Sequence, residues 1–388
     1  MYIHRLLEKK FKQLSKTYPV VALTGPRQSG KTTLVKKIFP DKKYLSLENL
    51  DTRAFAQKDP KGFLKTYNKG VIIDEAQNAP ELFSYIQEIV DVNKKSGEFI
   101  LTGSQNFLLM EKINQSLAGR VAIVTLLPMS ADELSEKLKR ANLNRLMLDG
   151  LYPVIYEKKI DAAEWYQNYI KTYIERDVRM MKNISDLNLF QKFIKLCAGR
   201  VGQILNLSSM ANDCGVSHNT IKGWISIIEA SYIIFLLYPY YENFSKRLIK
   251  MPKIYFYDTG LAASLLNINS EDQLDISPFK GGLFESFIIS EIIKNEYNKG
   301  LSLNIYFWRD KSGHEIDCLY ENKRKKYAIE IKSGKTINND FFDSLNYLQK
   351  ISKNIFTNLV LVYGGIEKQN RSNATVLGWN NFIAELNK

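Results

Sequence analysis

The sequence is poor in the residues that mark a secreted, disulfide-stapled or membrane-embedded chain. It holds three cysteines, Cys197, Cys214 and Cys318, an odd number without the close spacing of metal-binding or redox pairs. No disulfide framework is therefore predicted, and the thiols read as reduced and buried. That points to the cytoplasm. Long apolar runs are missing as well: residues 232–241 (YIIFLLYPYY) form the most apolar stretch, about half the length a membrane-spanning helix requires. It reads as a core segment, and no membrane association is expected. The opening MYIHRLLEKKFKQL carries charge where a signal peptide needs its apolar stretch, so it reads as a short amphipathic helix. Acidic residues are in deficit, 41 Asp and Glu against 54 Lys and Arg, for a formal charge of +13. This balance fits a polyanionic partner such as nucleic acid, and equally a lysine-rich solvated surface.

What is present belongs to folded protein. Of 388 residues, 45% are hydrophobic and 12% aromatic, enough for two or three domains with cores of their own. After the first helix, the apolar residues 20–23 run directly into GPRQSGKTTLVKKIF, a strand, loop and helix in succession. The loop fits G-x-x-x-x-G-K-[ST] at Gly25, Gly30, Lys31 and Thr32, with Pro26, Arg27, Gln28 and Ser29 between. Glycines let the backbone aim its amides at phosphate, and the following helix presents its positive end to the same anion. Lys31 is placed to neutralise the β and γ phosphates of ATP, Thr32 to offer its hydroxyl to Mg2+, and Thr33 to continue the helix. A second buried strand, VIIDE, ends in Asp74 and Glu75. Asp74 would hold the metal, and Glu75 would polarise the attacking water as the catalytic base. A third strand, residues 98–102 (EFILT), delivers Ser104 and Asn106 to the same edge, and either could align that water. Arg120, before the apolar residues 121–127, reads either as an arginine finger acting across a homo-oligomer or as an ordinary surface arginine.

The strings GPRQSGKTT, VIIDEAQ, LTGSQN and SLAGR together resemble the bacterial AAA-type ATPases. More narrowly, with Gln77, LLPMSADEL, TYIERDVR and KIYFYDTGLAASLL, nearly the whole chain resembles a prokaryotic family of ATP-binding proteins whose C-terminal part has no assigned function. The resemblance implies ATP binding and names no substrate.

Helical patterning begins at Ala131, and the DGLYPVIY stretch predicts a loop that closes an AAA-type domain at residues 1–150. WYQNYIKTYIERDVRMM reads as an amphipathic helix with a polar face of internal ion pairs. LSSMANDCGVSHNTIKGWISIIEA splits into two helices around Gly215, with Ser217 as cap and Ile221, Trp224, Ile225 and Ile228 inward. This is helix-turn-helix form. His218, Asn219 and Lys222 are the candidate groove-facing set, and strands near residues 233–238 and 253–257 would supply a wing with Lys246, Arg247, Lys250 and Lys253 facing phosphate. A lid or protein-binding role without DNA contact stays open, because Lys222 is the only strong cation of the second helix. This winged-helix-like connector is assigned residues 151–260.

In residues 261–388, Glu285 lies early in a long helix, and IYFWRDKSGHEIDCLYENKRKKYAIEIKSGK reads as three strands. The hairpin sets Asp317 beside Glu330, and Glu330 and Lys332 share a face. Two carboxylates and a lysine so placed suit a second divalent metal and a nucleophilic water. The set Glu285, Asp317, Glu330, Ile331 and Lys332 resembles the restriction-endonuclease-like fold, though Ile316 stands where the usual motif has proline. That resemblance implies either nuclease chemistry or a retained binding scaffold. The basic stretch at residues 323–326 reads as a solvated hairpin tip or a phosphate guide. The expected protein is thus α/β with three parts: either a nucleic-acid-processing ATPase, or a nucleotide-controlled switch that holds DNA or a protein partner without cutting.

Overall fold

The computed structural model describes residues 2–67, 70–104, 106–134, 142–174, 186–240, 251–322, 325–352 and 355–388. Helix α1 (Leu7–Ser15) leads into β1 (Val20–Thr24), the P-loop and α2 (Lys31–Ile38). Then follow β2 (Lys43–Ser46), α3 (Leu50–Lys58), α4 (Pro60–Thr66), β3 (Val71–Asp74), α5 (Leu82–Asn93), β4 (Phe99–Thr102), α6 (Asn106–Ser116) and β5 (Val121–Thr125). The five strands pair in parallel in the order β2-β3-β4-β1-β5. β1, β3 and β4 are buried along their whole length, as expected of parallel strands covered on both faces. Side chains alternate across the sheet: Val21 and Leu23 pack with Leu7, Phe11, Leu34 and Val35 of α1 and α2. Val20 and Ala22 pack with Phe63 and Phe83 on the opposite face. β4 therefore lies between the P-loop strand and the strand ending in Asp74.

The middle of the chain is helical: α7 (Leu143–Asp149), α8 (Pro153–Lys158) and α9 (Ala162–Tyr169), the last running into a π-helical turn at Ile170–Ile174. The charged end of the expected amphipathic helix, residues 175–179, lies outside the described residues. After α10 (Leu187–Ala198) come α11 (Leu207–Cys214) and α12 (His218–Ala230), hinged at Gly215 with φ +75°. Ser217 caps α12 by accepting from the Thr220 N–H. β6 (Ile234–Leu237) and β7 (Lys253–Phe256) then pair antiparallel.

The last region contains α13 (Thr259–Leu265), α14 (Glu271–Ile276) and the long α15 (Lys280–Lys299). Next come β8 (Ile305–Arg309), β9 (Glu315–Asn322), β10 (Lys325–Lys332), α16 (Asp343–Ile351), β11 (Asn358–Tyr363), β12 (Gln369–Asn370), β13 (Thr375–Gly378) and α17 (Phe382–Leu386). The six strands form a mixed sheet, β12-β13-β11-β10-β9-β8, with β11 parallel to both β10 and β13.

Residue 260 does not separate two cores. One buried apolar cluster runs from Leu127 to Leu386 and takes in α9, α12, β7 and α15. The Phe256 backbone exchanges hydrogen bonds with Ser286 Oγ at 3.0 and 2.9 Å. Asp258 caps α13 and also accepts from the Leu151 N–H at 2.7 Å and the Tyr166 hydroxyl at 2.6 Å. Gly150 sits in this knot with φ +62°, where a Cβ would lie 1.9 Å from the Tyr166 hydroxyl. No other residue fits there.

Candidate nucleotide site and a second carboxylate cluster

The P-loop leaves the carboxyl edge of β1. Gly25 has φ +140°, and a Cβ there would fall 2.1 Å from the Leu126 carbonyl oxygen, so the loop approaches β5 closely enough to demand glycine. Gln28 and Gly30 also take left-handed backbone, at φ +63° and +95°. Lys31 is buried and donates to the carbonyls of Gly25 and Pro26 at 2.9 and 2.7 Å. Burial pulls its pKa down to about 8, an effect that the charges of Glu75 and Asp74 oppose in part. Ser29 Oγ is buried without a hydrogen-bond partner, a donor left for a ligand. Arg27 lies 3.6 Å from Glu48, while Thr33 is exposed on α2.

Asp74 gathers hydroxyls from three elements. Thr32 Oγ1 donates at 3.0 Å, and the hydroxyls of Tyr44 of β2 and Thr102 of β4 donate as well. Glu75 follows with φ +54°. Its Oε2 accepts from Gln77 Nε2 at 2.5 Å, from Ser104 Oγ at 3.0 Å and from the Ser104 N–H at 3.2 Å. Ser104 thus touches the expected base itself. Asn106 begins α6, and its side chain lies outside the described residues. Tyr44, Thr102 and Arg5 were missed by sequence reasoning. Thr102 alone carried a signal, as the polar end of a buried strand at the active edge.

Arg120 sits at the opposite edge of the sheet. Its carbonyl accepts from the Val20 N–H at the start of β1, and its guanidinium pairs with Asp91 at 2.5 and 2.8 Å. Within its own chain the guanidinium makes a surface ion pair, and the finger reading concerns the site of a neighbouring chain, which this contact does not address.

The residues expected to cleave phosphodiesters do converge with one another. The Ile331 N–H donates to Asp317 Oδ2 at 2.7 Å, and Lys332 Nζ lies 2.5 Å from Glu330 and 4.0 Å from Asp317. Two further residues arrive from β7. Lys253 Nζ stands 3.1 Å from Glu285 and also pairs with Glu315, and the Tyr255 hydroxyl donates to Glu285. Lys253 is therefore not a wing cation facing phosphate: it is buried, and its ammonium is committed to carboxylates. Lys246, Arg247 and Lys250 lie outside the described residues, as do positions 323 and 324 of the hairpin tip.

Burial, and then the charge of Asp317, push the pKa values of Glu285 and Glu330 well above the ordinary carboxylate range. Burial alone would lower that of Lys253, but Glu285, Asp317 and Glu315 together raise it. Among the described residues, no group of three or more His, Cys, Asp or Glu side chains is arranged to hold a metal ion as it stands. Lys332 pairs with Glu330 beside Asp317, the two carboxylates and lysine set out by the sequence pattern. Glu330 Oε2 nevertheless stays buried without a partner. His218, Asn219 and Lys222 are exposed on α12, while Ile221, Trp224, Ile225 and Ile228 are buried. No helix among the described residues is long and apolar enough to cross a membrane.

A parallel sheet with a P-loop, a hydroxyl-bound Asp74 and an adjacent glutamate defines an AAA-type P-loop ATPase, and residues 17–135 match the AAA domain family. Residues 140–272 and 280–382 match two domains of unknown function, DUF8612 and DUF4143. The chain belongs to the family of the uncharacterized protein Rv2008c of Mycobacterium tuberculosis. The two are 30% identical over 324 residues, covering 82% of this chain and 71% of that protein. The uncharacterized protein MJ1637 of Methanocaldococcus jannaschii is 24% identical over 420 residues, covering 94% and 84%. Among solved structures, the Walker-type ATPase PABY2304 of Pyrococcus abyssi aligns with a TM-score of 0.48 and 14% identity, over 67% of this chain and 94% of that one.

Proposed function

We propose that the protein is a magnesium-dependent ATPase whose nucleotide state governs a body, residues 151–388, that holds nucleic acid or a protein partner. One observation carries the ATPase reading: Thr32 and Asp74 meet at 3.0 Å while Glu75, the next residue, is held by Ser104. The residues present fit MgATP, since Lys31 has only loop carbonyls to leave and Ser29 Oγ has no partner to lose. Thr32 and Asp74 would hold the ion, which when bound supplies charge neutralisation at the phosphates. Lys31 moves its ammonium from the loop carbonyls onto phosphate oxygen. Glu75 takes a proton from the attacking water, oriented by donors that already fix its carboxylate. The test is Glu75→Gln in the full chain. Nucleotide binding is retained and turnover falls by about 10²–10⁴-fold; unchanged turnover removes Glu75 as the base.

The switch form is favoured over cleavage because no group of three or more His, Cys, Asp or Glu side chains among the described residues is arranged for a metal, and Lys253 occupies Glu285 and Glu315. A winged-helix-like part within residues 151–260 and a restriction-endonuclease-like part within 261–388, sharing one apolar core, belong to this reading, as does a cytoplasmic setting. It is supported by the α11–α12 pair with its two-stranded extension, by the +13 charge, and by the free, buried Cys197, Cys214 and Cys318.

A second reading, metal-dependent phosphodiester cleavage, has one observation in its favour: the unpartnered, buried Glu330 Oε2 beside Asp317 and Lys332. Labelled DNA or RNA incubated with Mn2+ and ATP decides between them. Cutting that disappears in both Asp317→Ala and Glu330→Ala supports cleavage. Nucleic-acid-stimulated ATP hydrolysis without cutting supports the switch.

A further inference from the structure

Arg5 lies outside the phosphate-binding motif, yet its guanidinium reaches into the loop. Nη1 donates to the Ser29 carbonyl at 2.7 Å and Nη2 to the Leu127 carbonyl at 2.8 Å, 122 residues away in sequence. Nε stands 3.1 Å from Glu133, whose side chain is fully buried. Glu133 is fixed in turn by the N–H groups of Leu6 and Ser130 at 2.6 and 2.8 Å. One planar fork thus joins the segment before α1, the P-loop and the exit of β5, with its charge balanced by Glu133.

The consequence lies in the geometry of a single peptide. A trans peptide is a rigid plane whose C=O and following N–H point in opposite directions. Holding the Ser29 oxygen outward on Arg5 therefore turns the Gly30 N–H to the other side. Gly30, at φ +95°, carries no side chain to hold that plane, and a Cβ there would make only ordinary van der Waals contacts, with Arg5 Nη1 at 3.8 Å and Pro153 Cγ at 3.9 Å. Resting on the P-loop reading above, we infer that Arg5 is a positioning residue for ATP, which keeps the Gly30 amide turned to receive phosphate before the nucleotide arrives. The effect is one of orientation, because Glu133 cancels most of the field that the guanidinium would add.

Lysine keeps the charge beside Glu133 but offers one point where arginine offers a two-pronged fork. Arg5→Lys and Arg5→Met in the full chain are therefore compared with the parent by Mg2+-dependent ATP turnover, by titration with a fluorescent ATP analogue, and by melting without nucleotide. The expected result is a KM and a dissociation constant for ATP about tenfold higher in both variants, with kcat lowered less than about threefold. The affinity loss is also expected to exceed what the shift in melting temperature accounts for. Should Arg5→Met not fold, Arg5→Lys carries the test. Parental affinity in Arg5→Lys overturns the inference, and so does a loss shared equally by KM and kcat that tracks the melting temperature. If the parent protein itself binds no ATP, the P-loop reading fails, and that result is distinct from failure of the Arg5 inference.

Discussion

Lys253 and Glu285 form an ion pair at 3.1 Å that joins β7 to α15, with side chains only 4% and 14% exposed. Each charge has left water for the other, so removing one strands its partner in a low-dielectric interior. Lys253→Met, which keeps much of the volume, is expected to destabilise the protein by about 3–5 kcal/mol. Pairing it with Glu285→Gln should restore part of that loss. Urea unfolding of the single and double variants reads the coupling; a single variant as stable as the parent means the pair is solvated in solution.

Glu330 makes a prediction of opposite sense. Its folded pKa is raised above 4.5 by burial and then by Asp317, so the folded state holds a proton that the unfolded chain releases. Stability from this group is therefore full below about pH 4.5 and is lost as pH rises through the raised folded value, into the neutral range. Glu330→Gln cannot ionise. Its melting temperature is expected to match the parent near pH 5 and to exceed it by about 2–4 °C near pH 8.5. An equal gain at both pH values would make repacking, not ionisation, the cause.

Lys31 sets a pH limit on nucleotide affinity. Burial lowers its pKa to about 8 in the nucleotide-free protein, while phosphate binds the ammonium form. Affinity is then fully expressed below that value and falls above it, by about tenfold between pH 7 and pH 9. Titration with a fluorescent ATP analogue across this range checks the slope. A flat profile to pH 9 would mean that Lys31 stays charged without the nucleotide.

What the sequence disclosed depended on how local each contact is. Gly25, Gly30, Lys31 and Thr32 lie within eight residues on one strand, loop and helix, and the chemistry of that loop fixes their types. Asp74 and Glu75 were legible for the same reason, as the polar end of an apolar strand. Arg5 was not, because nothing near position 5 indicates that its partners are Ser29 and Leu127. Lys253 was misread because a lysine at the start of a strand looks the same whether it meets water or a buried glutamate from a helix 32 residues on. Arg120 is different. A residue preceding a strand that runs parallel to β1 must lie at the edge away from its own P-loop, and that deduction was available once the strands were assigned, so any finger role is directed at a neighbouring chain.

Glu75 offers the closest test of how the site is organised. Its three donors, Gln77 Nε2, Ser104 Oγ and the Ser104 N–H, all converge on Oε2, which leaves Oε1 to take the proton. Hydrogen bonds to a carboxylate have two opposed effects: they fix its orientation, and they stabilise the anion and so make it a weaker base. For a group whose own backbone is held at φ +54°, orientation should dominate, because a misdirected carboxylate cannot reach the water at all. Ser104→Ala and Gln77→Met are each expected to lower kcat about tenfold with little change in KM. The double variant should lose less than the product of the two, since both bonds restrain the same oxygen. Steady-state kinetics on the four proteins reads this directly. A rise in kcat in Ser104→Ala would reverse the assignment, making these bonds a restraint that ATP must break before Glu75 can act.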